Sequence, residues 1–331
     1  MKIAVWGHPH SEFPEGHDSA ADIRARLGAL REAGISAYIP FVLSGGKTYF
    51  ASESLGPPER DLLAPVMQAA RELEMQVHPI LGLGAVGVVD THLYIPSAET
   101  VDVPEWAGKW PCASWGENHE ITVRAAQEII EAYAPAGIHL DYVRYPNMSF
   151  LKDNPCHCER CCQRRLGWLG KEVPDERDLR IPGIIYKEIQ MRAEFVRSLV
   201  ESMRAVADQA GIALSAAVRA RYYQDALYEG QDWAEWCRDG LLDFVCPMSY
   251  NPCFGRFGRF IGQHQRLVAG TGVQWLAGVG RKSSLGELSP EEMARQICFA
   301  QAAGADGVCI FHAGVLGEED LRLLPEVTAK D

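Results

Sequence analysis

Residues 137–146 read GIHLDYVRYP. A glycine opens a run that looks buried, yet the run closes on an aspartate, an arginine, two tyrosines and a proline. Side chains alternate along a strand, so His139, Asp141 and Val143 share one face and Leu140 and Tyr142 the other. If the first face points into a closed sheet, Asp141 projects from its end with His139 one layer below.

Similar short apolar runs alternate with longer helical patterns on both sides of this segment, the signature of βα units around a parallel sheet. Upstream, strands are expected at 3–6, 36–41 and 76–81, with helices at 19–33, 61–73 and 119–133. In the first of these helices Ile23, Leu27 and Leu30 recur at helical spacing, and Gly34 stops it. Downstream, IALSAAVRA, LLDFVCPMSY, VQWLAGVG and GVCIFHAG are the later strands, with helices at 184–210 and 231–238 and a short amphipathic tail at 318–324. SPEE at 289–292 is a capping box with proline at the first helical position. The count is eight units, hence one (β/α)8 TIM barrel over 1–331, with long loops after strands 3 and 4. The second of these, 147–182, is an insertion that carries the motif CHCERCC.

The bulk numbers narrow the function. An apolar fraction of 47% with 23% charged residues fits a globular chain. The net charge of -12 argues against nucleic acid, which is held by clustered Lys and Arg. No run approaches the roughly 18 to 20 apolar residues needed to span a bilayer, and the start is too short in apolar residues for a signal peptide, so no membrane and a cytoplasmic location are expected. The ten cysteines are bunched, which points to a local site more than to a disulfide framework.

In such a barrel the active site lies at the C-terminal ends of the strands. By strand, the mouth residues are Trp6, His8, His10 and Glu12; His78; Asp141, Arg144 and Tyr145; Arg219 and Arg221; Tyr250 and Asn251; Arg281; and His312. Trp6, Trp115, Tyr145 and Tyr250 offer flat faces to pyranose CH groups. Arg144, Arg219, Asn251 and His312 offer hydrogen bonds to hydroxyls or to a uronate carboxylate. The arginines hint at an anionic sugar.

GIHLDYVRYP resembles the fourth-strand motif of glycosyl-hydrolase-like family 10. GQDWAEWCRDGLLDFVCPMSYN, at 230–251, resembles that family's approach to the sixth strand, where a Gln-Asp-Trp helix start precedes a Pro-Met-x-Tyr strand end. The resemblance implies a glycoside hydrolase barrel acting on an oligo- or polysaccharide. There is a weaker echo of the family 18 chitinases; on their pattern His139 and Val143 take the places of the first Asp and the catalytic Glu, and Asn251 that of the sixth-strand Asp. Asp141 is then the main catalytic carboxylate. The reaction ordinarily needs a second carboxyl group, about 5 to 5.5 Å away for retention or about 6.5 to 9.5 Å for inversion. Glu12 and Glu117 rank first for it, ahead of Asp90 and Asp225, although Glu117 also suits a helix start and Asp225 a helix cap.

Two other readings stay open. A barrel that lacks the second carboxylate would bind carbohydrate without cleaving it. A metal-dependent amidohydrolase-like barrel would use His8 and His10 of WGHPH, but the later histidines and the aspartate after strand 8 are missing from AVRAR, PMSYN and FHAG. No cofactor is required for glycoside hydrolysis. Cys156, Cys158 and Cys161 could hold a structural zinc, with Cys112 or Cys253 as a distant ligand, whereas adjacent Cys161 and Cys162 would not share one ion. Similar cysteine-rich insertions follow this strand in relatives that look like glycosidases. Free thiols or a disulfide are the alternative.

Overall fold

The computed structural model describes residues 1–85, 110–146 and 156–328. Eight parallel strands form the barrel: β1 Lys2–Gly7, β2 Ala37–Pro40, β3 in two pieces Gln76–Val77 and Ile80–Leu81, β4 Gly137–Leu140, β5 Ala213–Arg219, β6 Phe244–Met248, β7 Gln274–Gly280 and β8 Gly307–Phe311. The first piece of β3 pairs with β2 and the second with β4, while β8 pairs with both β1 and β7. The third strand therefore closes the sheet on itself. The break falls at His78-Pro79, where proline has no N–H to give the ladder.

Each strand is followed by a helix: α1 Ala20–Glu32, α2 Leu63–Glu72, α3 Gly116–Tyr133, α4 Pro182–Ala210, α5 Trp233–Arg238, α6 Phe254–Val268, α7 Pro290–Ala302 and α8 Glu318–Thr328. The Ser289 capping box of α7 is present as read. The period-two pattern of β1 splits the core. Ile3 and Val5 pack outward against the helices, while Ala4 and Trp6 point inward to join Ala37, Ile39, Ile80, Ala217, Cys246, Leu276 and Cys309. No described helix is long and apolar enough to cross a membrane.

Three local differences from the sequence reading bear on the site. α3 starts a turn earlier than 119. The insertion contains a helix, Glu159–Leu169, that the sequence reading did not expect. α6 was also missed, because Gly255, Gly258 and Gly262 lower its helix propensity. Its Phe257, Ile261, His264 and Val268 are buried at helical spacing, and Arg256, Arg259 and Arg266 remain exposed.

Candidate active site

The β-strand ends open on a cleft of about 1420 Å³, lined by Trp6, His8, Phe41, Asp141, Tyr142, Arg144, Arg219, Asp225, Tyr250, Asn251 and Phe311 among others. Its floor is aromatic. Tyr250 stacks on Phe311 at 5.0 Å and meets the edge of Trp6 at 5.9 Å. Gly280 makes room for it, since a Cβ there would come within 2.9 Å of Tyr250.

Beneath the floor, His139 points into the barrel as expected. Trp6 Nε1 donates to its Nε2 at 3.1 Å, and its Nδ1 lies 2.8 Å from Ser215 Oγ. With Nε2 an acceptor, the proton sits on Nδ1. Burial pushes this imidazole down to about 3, so it is neutral and braces the barrel interior.

Asp141 follows one layer above and is 6% exposed. Its Oδ1 accepts from the Tyr142 amide at 2.6 Å, and no ion pair reaches it among the described residues. Burial raises its carboxyl above the usual range, opposed by Arg144, the Tyr142 amide and Arg219. The chain then turns sharply: Tyr142 has φ 57, a left-handed conformation uncommon for a residue with a side chain. The strand's alternation ends there. Tyr142 swings into the cleft, and Val143 packs in the outer core.

The arginines beside Asp141 are held by a residue not singled out in the sequence. Glu229, buried, lies 2.8 Å from Arg219 Nε and 3.5 Å from Arg144 Nε. The Gln-Asp-Trp segment supports this clamp, because Gln231 Oε1 accepts from the Arg219 amide at 2.7 Å and Trp233 Nε1 donates to the Arg219 carbonyl at 3.2 Å. Arg144 also lies over the Trp110 and Tyr142 rings.

The other expected site residues divide between the cleft and its surroundings. Asp225, in the turn after β5, lines the cleft 3.5 Å from Arg221. Glu12 is not among the cleft-lining residues and takes a hydrogen bond from the His8 amide and one from Tyr38 Oη at 3.3 Å. Burial pushes its carboxyl up to about 7. Glu117 sits in the first turn of α3, half exposed and 3.7 Å from Arg160, outside the cleft lining. Trp115 carries the Arg160 guanidinium on its ring and is likewise outside the lining. Asp90 lies outside the described residues.

His78 is a correction. The strand runs past it to Leu81, so it sits low in the barrel against Phe244, the first residue of β6, and its ring abuts Gly137 at the start of β4. Tyr145 is another: it is 2% exposed, and its hydroxyl lies 3.6 Å from Cys112 Sγ instead of facing the cleft. His8 stacks on Phe41 at 4.5 Å and meets the edge of His312 at 4.8 Å. Burial first, then His312 and His10, lowers the His8 imidazole to about 4. His10 stacks instead on Tyr49, so His8 and His10 do not converge on a common point with a third ligand. Among the described residues, the group of His, Cys, Asp or Glu side chains that does converge is Cys112, Cys156, Cys158 and Cys161.

No family model matches the sequence. No curated protein matches it either. Solved structures do match in three dimensions. The PgaB (BpsB) glycoside hydrolase domain from Bordetella bronchiseptica superposes with a TM-score of 0.73 at 14% identity, over 99% of this chain and 97% of that one. A GH18 chitinase from Pseudoalteromonas aurantia gives 0.57 at 11% identity, over 99% and 100%. A chitinase from Bacteroides thetaiotaomicron gives 0.58 at 7%, over 100% and 97%. The chain has the (β/α)8 fold of these barrels.

Proposed function

We propose that this chain is a glycoside hydrolase of the glycosyl-hydrolase-like family 10 type, cleaving an anionic oligo- or polysaccharide with Asp141 as its main catalytic carboxylate. The observation that carries the proposal is the state of Asp141. It is a buried carboxyl at the mouth of a wide, aromatic-floored cleft, raised by burial and left unpaired because Glu229 takes both neighbouring arginines. A carboxyl shifted upward by burial is the kind that can serve as general acid, giving its proton to the glycosidic oxygen as the C–O bond breaks. Asp225 also lines the cleft, and to it we assign the proton taken from the attacking water. The water oxygen ends on the anomeric carbon, and the leaving sugar departs as an alcohol. The neighbouring solved structures, a glycoside hydrolase domain and chitinases, support the reaction class.

The anionic substrate is inferred from the cleft's charge. Arg144, Arg219, Arg221, Arg256, Arg259 and Arg266 line it against two carboxylates, in a chain of net charge -12. Arg256, Arg259 and Arg266 of α6 have no ion pair among the described residues. A concentration of cation in a cleft of an acidic protein attracts carboxylate or sulfate groups along a chain. The test is reducing-end release from oligogalacturonides, hyaluronan and heparin fragments beside neutral and N-acetylated oligosaccharides. Turnover confined to, or strongly favouring, the anionic set is expected. Equal turnover of neutral chains would overturn the substrate class, and tight binding without turnover would make the barrel a carbohydrate-binding protein.

A further inference from the structure

The insertion after β4 brings three cysteines to a fourth one far away in sequence. The Sγ atoms of Cys112, Cys156, Cys158 and Cys161 all lie within 4.8 Å of one another, and all four residues are buried. From Cys112 Sγ the separations are 3.5 Å to Cys156, 3.6 Å to Cys158 and 3.7 Å to Cys161. A disulfide would need sulfurs at about 2.05 Å. A tetrahedral zinc with Zn–S of about 2.3 Å places its sulfurs roughly 3.8 Å apart. The spacing found is therefore that of four ligands around one ion. We infer that these four cysteines form a structural zinc site that staples the insertion to the segment preceding α3.

The surroundings suit such an ion, whose four thiolates leave an excess of negative charge. Ser114 Oγ lies 3.1 Å from Cys112 Sγ and 3.3 Å from Cys158 Sγ, and Tyr145 Oη lies 3.6 Å from Cys112 and 3.9 Å from Cys161. Both hydroxyls can donate to thiolates, the outer support that metal ligands commonly receive. The guanidinium of Arg165 is fully buried next to the site, donating to the Cys156 carbonyl at 2.6 Å while paired with Glu188. The remaining candidates fall away. Cys162 Sγ turns to the His157 carbonyl at 3.4 Å, and Cys253 is exposed just ahead of α6.

The site also reaches the cleft. Tyr145, whose hydroxyl touches two of the cysteines, donates its amide to the Glu229 carbonyl at 2.8 Å, and Glu229 holds Arg144 and Arg219. The zinc thus fixes the rim that carries those arginines. This inference is independent of the reaction catalysed.

Elemental analysis and native mass spectrometry of the full chain, purified from zinc-supplemented medium, test it. About one zinc per chain is expected, retained in Cys162→Ser and Cys253→Ser and lost in Cys158→Ser with a lowered Tm. Cobalt exchanged into the wild-type protein should show thiolate-to-metal charge-transfer bands, a readout that stands even if Cys158→Ser fails to fold. Wild-type protein without stoichiometric metal, with iron in place of zinc, or with disulfides among these four cysteines would overturn the inference.

Discussion

Burial sets the direction in which the Asp141 carboxyl is shifted, upward from the usual range. Arg144 and Arg219 oppose that shift, and both are held by the buried Glu229. Glu229→Gln strands two arginines in a buried setting, a change that costs on the order of 3–5 kcal/mol when a buried pair loses one partner. Denaturant unfolding checks this. Any activity left in that variant should lose its alkaline limb at lower pH, because the released arginines stabilise the Asp141 carboxylate and make it a weaker proton donor. Glu12 gives a second pH effect of definite sign. Its folded carboxyl is raised from 4.5 to about 7, so the folded state holds a proton that the unfolded chain has already released. Its contribution to stability is full below about 4.5 and is lost as pH rises through about 7. The wild type should therefore lose stability over that window relative to Glu12→Gln, and thermal melts across pH read the difference.

The elements differ in how plainly the sequence announced them. β1 and β4 were legible because strands buried on both faces read as short continuous apolar runs, and α7 because Ser289, Pro290 and Glu292 mark its start. α6 was hidden by three glycines, although its buried Phe257, Ile261, His264 and Val268 keep a helical period. His78 was misplaced because it stands near the start of the strand expected at 76–81, which puts it low in the barrel and not at the mouth. Tyr145 was misplaced because the left-handed turn at Tyr142 breaks the alternation, which a period count cannot foresee. α6 carries its own prediction. Replacing Arg256 and Arg259 with Gln should weaken binding of a heparin fragment several-fold at low ionic strength, with the difference from wild type shrinking as salt screens the exposed charges. Titration by calorimetry at two salt concentrations measures it, and no change at low salt would remove α6 from the binding surface.

On the scale of the whole molecule, closure of the sheet gathers side chains that are far apart in sequence. Trp6, Asp141, Arg219, Tyr250 and Phe311 come from five strands or their ends and meet around one cleft. The position of the cleft was therefore readable once the βα count was made, and so was the place of Asp141 in its lining. Its surroundings were less so: Glu229 is recognisable only after β4 and the loop after β5 are brought side by side, and the choice between Cys112 and Cys253 as neighbour of the cysteine motif is made only when the loops after β3 and β4 fold together. The most direct measurement is the turnover of Asp141→Asn against wild type on whichever anionic oligosaccharide the wild type cleaves, with binding of that oligosaccharide measured in parallel. Loss of a general acid predicts a fall in kcat on the order of 10² to 10⁴ with binding retained. Turnover equal to wild type would contradict the account.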